Sequence, residues 1–280
     1  MNRRGLPLLL ALALLAGCGA SLEPLPPPAI EEAVSLPETA PAGTLSAPAL
    51  VTEGREPAEN YPLPAILFDC STPDRMDTST PLLLAELPEA DAAFYSLEDE
   101  KVLIRWEDCT VEFDWLSLTP RQIPPWLDCF DIDGDQENEL LVACYIGSGT
   151  GVSIEELHIL EKGPEKTMTA YTFPEILWQE KVPKLFHAAE ISGRTFAVLG
   201  RELVEFDGGG LDLETASSGL IAEFCKECKN GWNGLQFRGR FCLSQPDRAY
   251  PCYVAETSAQ ILYENGMFTL QDFHLYSFDQ

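Results

Sequence analysis

The chain has 280 residues, and its 45 acidic side chains against 18 basic ones leave a formal charge of −27. A surface so acidic is repelled by phosphate backbones and by anionic headgroups, which excludes nucleic acid as a partner and leaves charge unable to hold the protein at a membrane. With 45% hydrophobic residues the chain is long enough to bury one sizeable core.

Met1 to Arg4 carry two basic side chains, and Leu6 to Leu15 form an apolar run interrupted only by Pro7. A helix needs ~20 apolar residues to span a bilayer, so residues 1–17 read as an export leader and not as a membrane span. Leu15-Ala16-Gly17-Cys18 then sets small residues before a cysteine. This string resembles the lipobox of bacterial lipoproteins. The resemblance implies that Cys18 is acylated, becomes the mature N-terminus and anchors the protein on the outer face of the cell membrane. Two or more acyl chains make such an anchor lasting.

Residues 18–62 change in character: nine prolines recur from Pro24 to Pro62, Tyr61 is the only aromatic, and acids outnumber bases. A segment of this kind buries too little apolar surface to offset the entropy of ordering it. It is predicted to be a disordered, extended tether. Residues 63–280 carry no plain repeat and are read as one domain.

Within that domain, short helices are predicted over Leu82–Tyr95 and Pro174–Phe186, each weakened by an internal proline, Pro88 or Pro183. The other signals are strands: Lys101–Trp106, Thr110–Trp115, Glu139–Ile146, Ser153–Leu160, Thr195–Leu199, Leu203–Phe206, Leu235–Leu243, Tyr253–Tyr263 and Met267–Phe278. All are rich in β-branched or aromatic residues and bounded by Gly, Asp, Asn or Pro. Asn265-Gly266 suits a tight hairpin with two positive φ values, and Glu107-Asp108 makes a second short connection. The fold class predicted is mainly β, with antiparallel hairpins forming a propeller-like or sandwich-like domain decorated by one or two short helices.

One stretch concentrates chemistry. Asp131-Ile132-Asp133-Gly134-Asp135-Gln136-Glu137-Asn138-Glu139 holds five carboxylates in nine residues, one at every second position. On a plain strand they would repel along one face, and a hard divalent cation relieves that repulsion. Calcium accepts six to eight oxygens at flexible geometry. Asp131, Asp133 and Asp135 would offer side-chain oxygens, Glu137 its backbone carbonyl, and Glu139 a closing carboxylate. Glycine is usual at the sixth position of such loops, where Gln136 stands here, while Gly134 occupies the fourth.

Entered after Phe130 and left by Leu140 to Ala143, the string resembles the calcium loop of the FG-GAP and VCBS repeat families. It is also similar to a group of exported Firmicutes lipoproteins with one such loop, followed by a Gly-Ser-Gly-Thr-Gly-Val-Ser segment and Glu-Leu-His, here Gly147–Ser153 and Glu156–His158. The close likeness covers about residues 120–160. It implies bound calcium in a β domain outside the cell.

Gly147-Ser148-Gly149-Thr150-Gly151 is neither a nucleophile elbow, since Ile146 stands where a glycine is needed before Ser148, nor a phosphate-binding loop, since no Gly-Lys-Ser/Thr follows. It is read as a flexible link that walls a ligand groove. Eight cysteines besides Cys18, namely Cys70, Cys109, Cys129, Cys144, Cys225, Cys228, Cys242 and Cys252, suggest disulfides in an exported chain, the last four pairing among themselves. Cys225-x-x-Cys228 with Cys242 and Cys252 leaves a four-thiolate zinc site open as well. His158, His187 and His274 are expected in the core or at an interface, and Trp106, Trp115, Trp126, Trp178 and Trp232 in the core.

Besides a purely structural role in the envelope or beside a sensor, with another membrane protein as partner, two functions fit these features. One is a membrane-anchored, calcium-stabilised module that binds a protein, glycan or small ligand. The other is a glycan-directed hydrolase using a carboxylate pair drawn from acids such as Glu107, Asp108, Glu112 and Asp114, although no spacing marks a pair.

Overall fold

A computed structural model describes residues 43–278, apart from 59, 69–80, 99, 150–151, 215, 230–231 and 247–249. The predicted leader, Cys18, the first part of the predicted tether and Cys70 lie outside the described residues. The chain is mainly β, built from antiparallel sheets with one short helical segment, and it is sandwich-like with one curled, half-barrel sheet. No helix among the described residues is long and apolar enough to cross a membrane.

Three of the four sheets are built on meanders of four consecutive strands, and the fourth on three. β3 (Leu82–Leu87), β4 (Ala92–Ser96), β5 (Val102–Trp106) and β6 (Cys109–Phe113) form the N-terminal sheet in chain order. The central sheet holds β7 (Trp126–Phe130), β8 (Glu139–Gly149), β9 (Val152–Lys162) and β10 (Met168–Thr172). β11 (Phe186–Ile191), β12 (Arg194–Leu199) and β13 (Glu202–Phe206) make a three-stranded sheet, and β14 (Ser217–Lys229), β15 (Trp232–Ser244), β16 (Cys252–Glu264) and β17 (Met267–Ser277) make the C-terminal one.

Two strands from the predicted tether complete the larger sheets. β1 (Leu45–Pro48) pairs with β17, and β2 (Leu50–Glu53) pairs with β10, both antiparallel. Residues 45–48 and 50–53, read from the sequence as disordered tether, are thus strands of the domain. Averaged over a proline-rich window, Leu45-Ser-Ala and Leu50-Val-Thr carry little weight, yet each is long enough to satisfy an open sheet edge. Arg55 extends the attachment by exchanging backbone hydrogen bonds of 2.9 and 2.8 Å with Glu112.

The predicted helix over Leu82–Tyr95 is instead the β3–β4 hairpin. Pro88 begins a single turn that Asp91 closes with φ +47°, and Leu87 pairs with Ala92. Leu84 and Phe94 face one core while Leu83 and Tyr95 face another, a two-residue period that a helix lacks. The second helix is present: Leu177–Lys181 runs into α1 (Val182–Leu185), with Pro183 tolerated at its first turn. The Asn265-Gly266 turn takes the two positive φ values predicted, +49° and +72°.

Two large cores share the central sheet. Leu140, Val142 and Leu160 pack against Ile104, Trp106 and Phe113 of the N-terminal sheet. Leu141, Ala143, Leu157 and Ile159, one residue out of phase, join the core lined by the C-terminal sheet. There Phe173 sits edge-on to Phe224 and Phe268, with ring centroids 5.1 Å from each, and Phe186 stacks on Phe241 at 4.0 Å. The central sheet is therefore buried on both faces. What it offers to solvent lies at its ends and along its β2 edge, where Leu50 and Val51 are exposed.

Candidate functional site

The acidic loop sits at one such end, between β7 and β8, where Phe130 and Glu139 are directly paired. Its alternating acids fold it. Asp131 Oδ1 accepts the Gly134 N–H at 2.6 Å and Oδ2 accepts that of Gln136 at 3.0 Å. Asp133 Oδ1 accepts from Asp135 N–H at 3.2 Å, and Asp135 Oδ1 from Glu137 N–H at 2.7 Å. Carboxylates that bind the backbone two residues on are the ordinary way Asp shapes a turn. Gly134 takes φ +87° and Gln136 φ +78°, so both the fourth and sixth positions are left-handed, and Gln136 carries the strain that glycine avoids.

Glu139 closes the loop. Its Oε2 accepts the Ile132 N–H at 2.8 Å, and its residue is only 3% exposed. Burial pushes its carboxyl up to about 7, and the negative charges of Asp133, Asp135 and Asp131 add to that, opposed by the Ile132 hydrogen bond. Carboxylate oxygens of Asp131, Asp133 and Glu139 lie within 4.8 Å of one another, a group that can hold a metal ion. The all-oxygen donor set fits a hard cation, and a positive ion there removes the cost of ionising Glu139. Asp135 and Glu137 fall outside this group of three, Asp135 being turned to its own backbone contact.

Next to the loop opens a cavity of about 720 Å³ whose walls come from three sheets. Asp133, Asp135, Glu137 and Glu139 line it together with Glu89, Glu107 and Glu161. Its one lysine, Lys162, lies 4.0 Å over the Trp106 ring and 2.7 Å from Glu107. Glu161 accepts the Tyr263 hydroxyl at 2.5 Å. Burial and this carboxylate together push the Tyr263 phenol up. Sequence reading found the loop but missed Glu89, Glu161, Lys162 and Tyr171, which reach the cavity from separate strands or turns. No local pattern marks them.

Other candidates are placed as follows. Glu107, Asp108, Glu112 and Asp114 are all held in ion pairs, with Lys162 at 2.7 Å, Lys166 at 3.0 Å, Lys101 at 3.1 Å and Arg55 at 2.5 Å respectively. Cys109, Cys129, Cys144, Cys242 and Cys252 are free thiols, so the expected disulfides are not formed among these described cysteines. The strands explain this. Cys109 and Cys144 are buried and bonded to the carbonyls of Lys166 and Leu116, and burial pushes both thiols up. Positions 225 and 228 both lie on continuous β14, where a zinc knuckle needs a turn. Cys242 faces Tyr253 in the register, and Cys252 faces Leu243.

Of the histidines only His158 is in the core, stacked on Trp115 at 3.8 Å and bonded through Nδ1 to Thr172 at 2.8 Å. His187 and His274 are exposed, being on the outward phase of their strands. Trp106, Trp115 and Trp178 are buried as expected, Trp126 is half-buried, and the side chain of Trp232 is outside the described set. Gly147, Ser148 and Gly149 are paired with Ile154, Ser153 and Val152, so the glycine-rich link is mostly hairpin and its residues do not line the acidic cavity. No family model, curated protein or solved structure matches the chain.

Proposed function

We propose that the chain is an extracytoplasmic lipoprotein, anchored through acylated Cys18, whose β domain is a calcium-stabilised binding module for a protein or glycan. The observation that carries the metal is the convergence of Asp131, Asp133 and Glu139 within 4.8 Å, on a loop whose backbone is already organised by its own acids. A cation-binding role is supported by the burial of Glu139, since a carboxylate removed from water next to three aspartates is costly when no cation is near. Calcium is favoured over magnesium because the loop offers several flexible carboxylates and no regular octahedron. Bound there, the ion would lock the end of β7 to the start of β8 and fix one wall of the acidic cavity.

The hydrolase reading draws no support from the acids first considered, because their ion pairs with Lys162, Lys166, Lys101 and Arg55 occupy them. The metal is tested by isothermal titration of the purified full chain with calcium and, in parallel, with magnesium. Saturable calcium binding that is lost in Asp133→Asn supports the reading. No calcium heat, or equal binding by the variant, contradicts it. The anchor is tested by Cys18→Ser, which should release the protein from the membrane fraction.

A further inference from the structure

The outward face of the C-terminal sheet carries a second polar site, far from the acidic loop in chemistry. The register sets Gln236, Arg238 and Arg240 in a row on β15, flanked by Ile221 and Glu223 on β14 and by Glu256 and Ser258 on β16. Tyr276 follows on β17, opposite Glu256. Together they line a groove of about 220 Å³, room for one sugar-sized ring.

The charges within it are unevenly satisfied. Arg240 is paired twice, with Glu256 at 3.0 Å and Glu223 at 3.6 Å. Arg238 donates only through Nε, to Gln236 Oε1 at 2.9 Å, and has no carboxylate at ion-pair distance among the described residues. In a chain with 45 acids a guanidinium edge left open inside a groove is a local exception to the prevailing sign. That edge presents parallel N–H donors, the arrangement that a carboxylate takes up bidentately.

Around the fork stand groups that suit hydroxyls. Glu223 and Glu256 keep lone pairs beyond their contacts with Arg240, and the Ser258 and Tyr276 hydroxyls lie 3.2 Å apart and can each donate or accept. Tyr276 is 49% exposed and offers a ring against which a sugar can pack. A bare anion meets two carboxylates here and gains only one fork. A neutral sugar leaves the fork unused.

We propose that this groove binds an acidic monosaccharide unit of the uronate kind, its carboxylate on Arg238 and its hydroxyls on Glu223, Glu256, Ser258 and Tyr276. The proposal gives the binding-module reading a ligand class, but it does not involve the calcium loop. It is tested by titrating the full chain with sodium glucuronate, glucose and sodium acetate, and by repeating the glucuronate titration on Arg238→Gln. Arg238 is exposed, and an unchanged thermal unfolding transition of the variant shows that it is folded. The expected result is a glucuronate dissociation constant on the order of 1 mM, weaker by about tenfold or more for glucose, acetate and the variant. Glucuronate binding that is undetectable, matched by acetate or glucose, or unaltered in Arg238→Gln overturns the proposal. Calcium binding would stand in each of those cases, so the two claims fail separately.

Discussion

The central and C-terminal sheets are both five-stranded and antiparallel, yet they spend their surfaces differently. The central sheet buries both faces, with Leu140 and Val142 on one side and Leu141 and Ala143 on the other, so polar chemistry is confined to its end, at the loop of residues 131–139. The C-terminal sheet buries one face and leaves Gln236, Arg238 and Arg240 open on the other. A sheet packed on both sides acts where its strands turn or at its edges. A sheet packed on one side can act along its whole breadth.

The largest effect that sharpens this contrast is in the doubly buried strand. Leu141→Ala removes a fully buried side chain from the core between the two sheets and should cost about 2–5 kcal/mol in chemical denaturation. On the open face, Arg238→Gln should stay within about 0.5 kcal/mol of the parent. Equal losses at the two positions would break the distinction.

Glu139 gives the next effect, and its sign is unusual for a carboxylate. The group ionises near 4.5 when unfolded and near 7 in the folded, metal-free chain, so the folded state holds the proton more tightly. Its penalty on stability is absent below the unfolded value, grows as pH rises between the two, and is complete above the folded value. A difference of this size corresponds to about 3 kcal/mol. Denaturation in chelator should therefore show the parent losing stability from pH 5 to pH 8 relative to Glu139→Gln, with the variant the more stable of the two at the higher pH. A parent that gains on the variant over that range would refute the electrostatic account of the site.

Smaller still is the turn that joins β16 to β17. Gly266 has φ +72°, and a Cβ there would meet the Tyr171 ring at 3.3 Å, so Gly266→Ala should cost about 1 kcal/mol. Because Tyr171 also lines the acidic cavity, this variant reads how firmly the C-terminal hairpin supports that wall.

Much of this organisation was legible in the residues. Strands bounded by strong turn residues, such as Tyr253–Tyr263 and Met267–Phe278 around Asn265-Gly266, were visible because side-chain period and turn chemistry agree. The Leu82–Tyr95 segment was misread as a helix because its run of leucine and alanine favours helix locally, while the pairing of Leu83 with Tyr95 is a tertiary fact. β1 and β2 escaped notice because short edge strands draw their stability from the sheet they join. The acidic loop was evident since its acids lie within nine residues of sequence, but Glu89, Glu161 and Tyr171 were not, because folding alone brings them beside it. Cysteine counting misled for the same reason: an even number says nothing of pleat phase, and Cys242 and Cys252 point out of step on neighbouring strands.

The central claim is that the loop of residues 131–139 ends the central sheet with a calcium site. It is tested most directly by scanning calorimetry of the full chain and of Glu139→Gln, each in chelator and in calcium at about one hundred times its dissociation constant. Linkage predicts a gain of about 2.7 kcal/mol for the parent, seen as a higher melting temperature, and none for the variant. Coincident transitions for the parent in chelator and in calcium would contradict the account.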